Sequence, residues 1–214
     1  MPALKSPSPS PRKIARRERR LLRADLPSAT VALARAVLGI TLVRRLDYGT
    51  ELRGRIVETE AYEFGDPSSH AFRGQTPRNR SMFAPHLHAY VYLIYGVAYC
   101  LNISSESGEV GAAILIRAVE PLAGLEAMRA RRGSATADRD LARGPGRLTQ
   151  AFAIDRALDG LDFDTNDRIW LVAGSAPDEI GESTRIGLTK AVERLHRFYE
   201  RGSRYVSGPR SLSP

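Results

Sequence analysis

Among 214 residues there is a single cysteine, Cys100. One thiol cannot close an intramolecular disulfide, so a disulfide-stapled scaffold is excluded and a reducing compartment fits. No run of 18 uncharged apolar residues occurs, which leaves no candidate for a membrane-spanning helix. The first 24 residues lack the apolar stretch of a secretory signal. Lysine is missing between Lys13 and Lys190, so an amine nucleophile forming a Schiff base has no candidate there. The four histidines, His70, His86, His88 and His196, do not fall at zinc-ligand spacing. No metal site is expected from them. There is no Gly-x-Ser-x-Gly elbow, no Gly-rich nucleotide loop and no internal repeat.

What is present suits one globular domain with a sizeable core. The net charge of +8 is unevenly placed. Residues 1–24 hold eight basic side chains against Glu18, and the rest of the chain holds 24 basic against 23 acidic. The basic character therefore belongs mainly to a Pro/Ser-rich arm over 1–24, which the composition predicts to be disordered. Such an arm can add phosphate affinity through counterion release. A solvated extension without a role and an organellar targeting segment share the same composition. Residues 209–214 read as a flexible tail.

Ser28 is placed to cap a helix whose apolar face is Val31, Leu33, Ala34, Val37 and Leu38, ending at Gly39. Thr41–Leu46 and Leu52–Thr59 read as strands around the turn Asp47–Thr50. A long loop is expected over Gly65–Pro85; loops of that length in compact domains are usually functional. Ala89–Tyr95 and Val97–Ile103 form two strands meeting at Gly96, with Tyr90, Tyr92 and Ile94 on one face. Ala112–Val119 is a further strand. Pro121 is expected to start a helix over Leu122–Arg131, and a second helix is expected over Arg147–Ile154. Ile169–Val172 reads as a strand, 174–184 as a loop, Lys190–Leu195 as a helical turn and Phe198–Val206 as a closing strand. Strands come in groups with helices between, which predicts an α+β fold on an antiparallel sheet.

Glu58 and Glu60 lie two apart at the end of a strand and so share a face. Like charges held together raise one pKa, which suits a general acid or base. On spacing alone, a solvated strand edge is the more ordinary account. The neighbourhood adds Tyr62, His70, Tyr90, Tyr92, Tyr95 and Asn102. Tyrosine rings stack on nucleobases at roughly 1–3 kcal/mol each, and an amide can read a base edge. Carboxylate, rings and amide are together the parts a base-flipping enzyme needs. Gly144-Pro145-Gly146 before a helix could also offer backbone N–H groups to a phosphate.

The run Gly54-Arg55-Ile56-Val57-Glu58-Thr59-Glu60-Ala61-Tyr62 resembles the signature of the alkyladenine (3-methyladenine) DNA glycosylase family. Gln75-Thr76-Pro77-Arg78-Asn79, Tyr90-Val91-Tyr92-Leu93-Ile94-Tyr95-Gly96, Cys100-Leu101-Asn102, Leu115-Ile116-Arg117-Ala118 and Gly144-Pro145-Gly146-Arg147-Leu148-Thr149-Gln150-Ala151 follow in the family's order, and the resemblance runs from about residue 25 to 208. It implies a single compact α+β domain over 25–208, with a curved antiparallel sheet, flanking helices and a protruding β-hairpin. It also implies a monofunctional, cofactor-free glycosylase acting as a monomer on damaged purines in double-stranded DNA. Glu60 matches the general base and Arg117 a residue holding Glu60 and the water. Tyr62 and His70 match one side of the flipped base and Tyr92 the platform on the other. Asn102 matches the residue that disfavours guanine, and Tyr95 the wedge that fills the vacated stack. Arg78, Gly146 and Arg147 are expected to contact DNA. The expected setting is the cytoplasm, near the nucleoid. One departure stands out: Pro85-His86-Leu87-His88 replaces a Pro-Gly that often precedes the Tyr-Val-Tyr strand. The rival reading is a damaged-DNA-binding module without catalysis; intact Glu60 and Arg117 count against it.

Overall fold

The computed structural model describes residues 19–94 and 96–209. Eight strands form one antiparallel sheet: β1 (Thr41–Arg45), β2 (Glu51–Tyr62), β3 (Ala89–Ile94), β4 (Ala98–Ser104), β5 (Ala113–Ala123), β6 (Ile169–Val172), β7 (Ile180–Ser183) and β8 (Arg197–Glu200). The order is β3-β4-β5-β2-β1-β6, with β8 joined to β2 and β7 to β8. Three α-helices flank it among the described residues: α1 (Thr30–Ala36), α2 (Leu125–Arg132) and α3 (Pro145–Ala151). None is long and apolar enough to cross a membrane. The α+β expectation holds.

β2 is the hub. One edge pairs with β5 along most of its length; the other pairs with β1 over 51–55 and with β8 over 58–60. Register shifts near Gly54 and Glu58 bend the strand and curl the sheet. Leu42, Ile56, Val119 and Phe152 fill the inside with no exposed surface. Each such side chain contributes roughly 1.5–3 kcal/mol by leaving water.

Several expectations need correction. Ser28 does not cap α1. The Glu106 carboxylate does, accepting from Thr30 N (2.8 Å) and Thr30 Oγ1 (2.7 Å), while Glu106 N donates to Ser28 O. A partner 76 residues away leaves no local signature. Pro121 does not start a helix: β5 runs through it to Ala123, because a bulge beside Gly54 takes a residue without an N–H. α2 starts only after Gly124, whose φ of 78° and contact with Leu52 admit only glycine. α3 begins two residues earlier than expected, with Pro145 in its first turn. The 174–184 loop contains β7, Lys190–Leu195 is not helical, and β8 stops at Glu200, where a turn follows.

The arm boundary also moves. Residues 19–21 pair with the free edge of β6, through Leu21 N to Leu171 O and Ala173 N to Arg19 O. Arg20 donates to the carbonyls of Phe163 and Asn166, and Arg23 bridges to Asp162. Three arginines assigned to a disordered arm are therefore docked; residues 1–18 and 210–214 lie outside the described residues. At the Pro85–His88 departure, Leu87 takes a φ of 72°. That conformation costs about 1–2 kcal/mol for a non-glycine residue. Complete burial of its side chain and backbone bonds to Ser104 and Phe163 hold it there.

Candidate active site

Alternation along β2 turns Thr59 to one side and the two glutamates to the other. Thr59 Oγ1 donates to Ala34 O of α1 at 2.7 Å. Glu58 and Glu60 both reach Arg117, which β5 presents from the next strand. The two carboxylates share a face, as their spacing predicts, but their surroundings differ.

Glu58 is saturated. Its Oε1 accepts from Arg117 Nε (3.1 Å) and Arg197 Nε (2.7 Å), and its Oε2 from Ser207 N (2.7 Å). Arg197, fully buried, also holds Ser183 Oγ and Ser207 O. These bonds tie β2, β5, β8 and the last described turn together, so Glu58 is a structural anion.

Glu60 has a lighter set of partners. Arg117 Nη1 (3.1 Å) and Ile186 N (2.8 Å) reach Oε1; Tyr62 Oη donates to Oε2 at 2.8 Å. Glu60 itself is buried and lies behind the wall of a cavity of ≈ 190 Å³; all three of its partners line that cavity. Burial acts against the charge on Arg117, but Glu60 and Glu58 outweigh it and hold its pKa above the ordinary value. The Tyr62 phenol is pushed up by burial and by the Glu60 charge, so it stays protonated and donates.

β3 alternates as expected. Tyr90, Tyr92 and Ile94 face the cavity, and Val91 enters the core. Cys100 and Asn102, opposite Tyr92 and Tyr90 on β4, complete that side. Asn102 Nδ2 donates to Tyr90 O at 3.1 Å. The long loop supplies His70. Asn79 staples it by donating to His70 O and Gly74 O, and His70 Nδ1 pairs with Tyr90 Oη at 2.9 Å. Burial, then the nearby Arg78 charge, lowers the His70 pKa and keeps the imidazole neutral near pH 7.

His70 is not opposite Tyr92, which corrects the expectation that it shares a side with Tyr62. The two rings meet edge to face with centroids 4.4 Å apart, and Tyr90 stacks on Tyr92 at 5.4 Å. His70, Tyr90 and Tyr92 form one aromatic wall. Tyr62 belongs to a different strand and is backed by the Arg185 guanidinium, 4.8 Å from its ring centroid.

Arg78, Gly146 and Arg147 do not line that cavity. Arg78 Nη2 donates to Leu93 O. Gly146 lets α3 approach β4: a Cβ there would stand 2.9 Å from that of Ala98. Arg147 is half exposed and 3.6 Å from Asp140. Tyr95, the expected wedge, lies outside the described residues. The sequence reading missed Arg185 and Ile186 and gave no site role to Arg197 and Ser207, which it met only within late motif runs. They come from irregular or late segments without a periodic signal; the motif run showed only that two carboxylates needed partners.

The family model for methylpurine-DNA glycosylase (MPG) matches residues 24–204. A protein of Mesorhizobium japonicum, provisionally named a 3-methyladenine DNA glycosylase, is 57% identical over 193 residues, covering 90% of this chain and 92% of its own length. The DNA-3-methyladenine glycosylase of Mus musculus is 49% identical over 201 residues, 86% of this chain and 59% of its own. That of Homo sapiens is 48% identical over 194 residues, 83% and 64% respectively.

Proposed function

Because the chain belongs to the methylpurine-DNA glycosylase family, we propose that it hydrolyses the N-glycosidic bond of damaged purines flipped out of duplex DNA, leaving an abasic site. The preferred base is 3-methyladenine, with 7-methylguanine, hypoxanthine and ethenoadenine as further substrates. The observation that carries this reading is Glu60, a carboxylate just behind the wall of an aromatic cavity and held by three donors that line it.

The extruded base enters the cavity between the His70/Tyr90/Tyr92 wall and Tyr62. A 3- or 7-alkylated purine is cationic. Tyrosine faces attract it by about 0.5–2 kcal/mol, and a neutral His70 adds no repulsion. Asn102 presents its amide to the base edge and disfavours the amino group of guanine. Water adds its oxygen to C1′ while Glu60 takes its proton. The electron pair of the C1′–N bond goes to the purine and neutralises its charge. Arg117 stays charged beside the Glu60 carboxylate throughout. Tyr62 and Ile186 N fix the carboxylate, so little reorganisation is needed at the moment of reaction. Tyr95 is assigned as the wedge, which offsets part of the unstacking cost of a few kcal/mol. Arg78, Gly146 and Arg147 contact the DNA backbone, and the protein acts as a monomer.

The test is chromatography of free bases after incubation with methylated duplex DNA. Release of 3-methyladenine, with a strand that breaks only after alkali, is the expected result. DNA binding without any released base would instead establish the binding-module reading.

A further inference from the structure

Glu60 receives two of its three donors from groups that a single buried arginine organises. Arg185 precedes Ile186, whose N–H reaches Glu60 Oε1 at 2.8 Å. Its guanidinium lies 4.8 Å from the ring centroid of Tyr62, whose hydroxyl reaches Oε2 at 2.8 Å. The Arg185 side chain is fully buried. It bonds to Asp66 Oδ2 and, at 2.9 Å, to Ala61 O, the carbonyl between Glu60 and Tyr62. Asp66, equally buried, accepts from Ser68 N and Oγ at the start of the loop that carries His70. One ion pair thus joins the segment 186–188, the loop over 68–70 and the end of β2, each of which supplies part of the cavity wall.

Neutralising Asp66 does not by itself call for arginine. Among the described residues Arg185 Nε is buried without a partner, a cost that an ammonium would avoid. What the planar guanidinium adds is simultaneous contact with Asp66, Ala61 O and the flat of the Tyr62 ring. The cation behind that ring also draws electron density from the phenol, which strengthens Tyr62 as a donor to Glu60. We infer that Arg185, anchored on Asp66, is a positioning residue that aims Glu60 through Ile186 N–H and Tyr62 Oη–H. This rests on the reading of Glu60 as the base.

A double-mutant cycle tests it. Arg185→Lys, Glu60→Gln and the double variant are compared in single-turnover excision of 3-methyladenine at saturating protein, with affinity for a non-cleavable lesion duplex measured alongside. In the Glu60-containing protein, Arg185→Lys should lower the excision rate about ten- to hundredfold and change affinity by less than about threefold. In the Glu60→Gln background it should have almost no further effect, because an aiming residue has nothing left to aim. Equal fold losses in both backgrounds, or a loss confined to affinity, would overturn the inference while leaving the glycosylase reading intact. Absence of base release by the unaltered protein would instead remove the reading beneath it. Should Arg185→Lys fail to fold, the isosteric Asp66→Asn goes through the same cycle with the same expectations.

Discussion

Replacing Glu60 with glutamine separates charge from shape at the centre of the site. The glutamine carbonyl can still accept from Arg117 Nη1 and Ile186 N, which now reach Oε1 at 3.1 and 2.8 Å. Its amide faces Tyr62 Oη, which turns from donor to acceptor. What disappears is the ability to take a proton from water. Positioned general bases contribute about 10²–10⁴-fold, so the excision barrier rises by roughly 2.7–5.4 kcal/mol. The fold should survive. Removing one partner of a buried ion pair costs about 3–5 kcal/mol when the other is stranded, but Arg117 keeps Glu58 at 3.1 Å. A loss of about 1–3 kcal/mol fits the strength of hydrogen bonds to charged groups, against a typical total of about 5–15 kcal/mol. The assay is single-turnover release of 3-methyladenine at 25 °C, with DNA affinity followed by fluorescence anisotropy. Affinity should stay within a few fold, since a negative charge near the phosphates is being removed. If Glu60→Gln excises within about fivefold of the parent while binding equally well, Glu60 is not the base and the proposed mechanism fails.

Other expectations follow from the same contacts. Tyr62→Phe keeps the ring over Arg185 but loses the bond to Oε2, which predicts an excision rate about 10- to 150-fold lower with unchanged DNA affinity in the same assay. Glu58→Gln removes the buried negative charge that Arg117 and Arg197 share, so calorimetry should show a Tm roughly 6–20 °C lower; a shift under about 2 °C would contradict the structural role of Glu58. Burial, then Arg78, lowers the His70 pKa below its ordinary 6.5, so the neutral form predominates at that pH and the titration midpoint lies in more acidic buffer. The ratio of 7-methylguanine to hypoxanthine excision should therefore fall on acidification with its midpoint below pH 6.5, whereas a fall centred above 6.5 would show His70 charging earlier. Residues 1–18 carry five basic side chains against Glu18, and deleting them should flatten the slope of log affinity against log salt without changing single-turnover excision; an identical slope would exclude the arm from DNA affinity. The cut belongs at 18 because Arg20 and Arg23 are docked on the body.

The sequence alone determined the local features. Alternation put Tyr90, Tyr92 and Ile94 on one face of β3, the two-residue spacing put Glu58 and Glu60 on one face of β2, and the ordered motif runs identified the family. These follow from backbone periodicity and from residue types that chemistry restricts. The tertiary structure decided how the surroundings of the two carboxylates differ. Arg197 and Ser207, more than 130 residues along the chain from Glu58, saturate it, and the N–H of Ile186 reaches Glu60 from a segment without regular structure. Long-range pairing of this kind leaves no local periodicity. For the same reason the Glu106 cap of α1, the passage of β5 through Pro121 and the grouping of His70 with Tyr92 became visible only once the strands had been brought together.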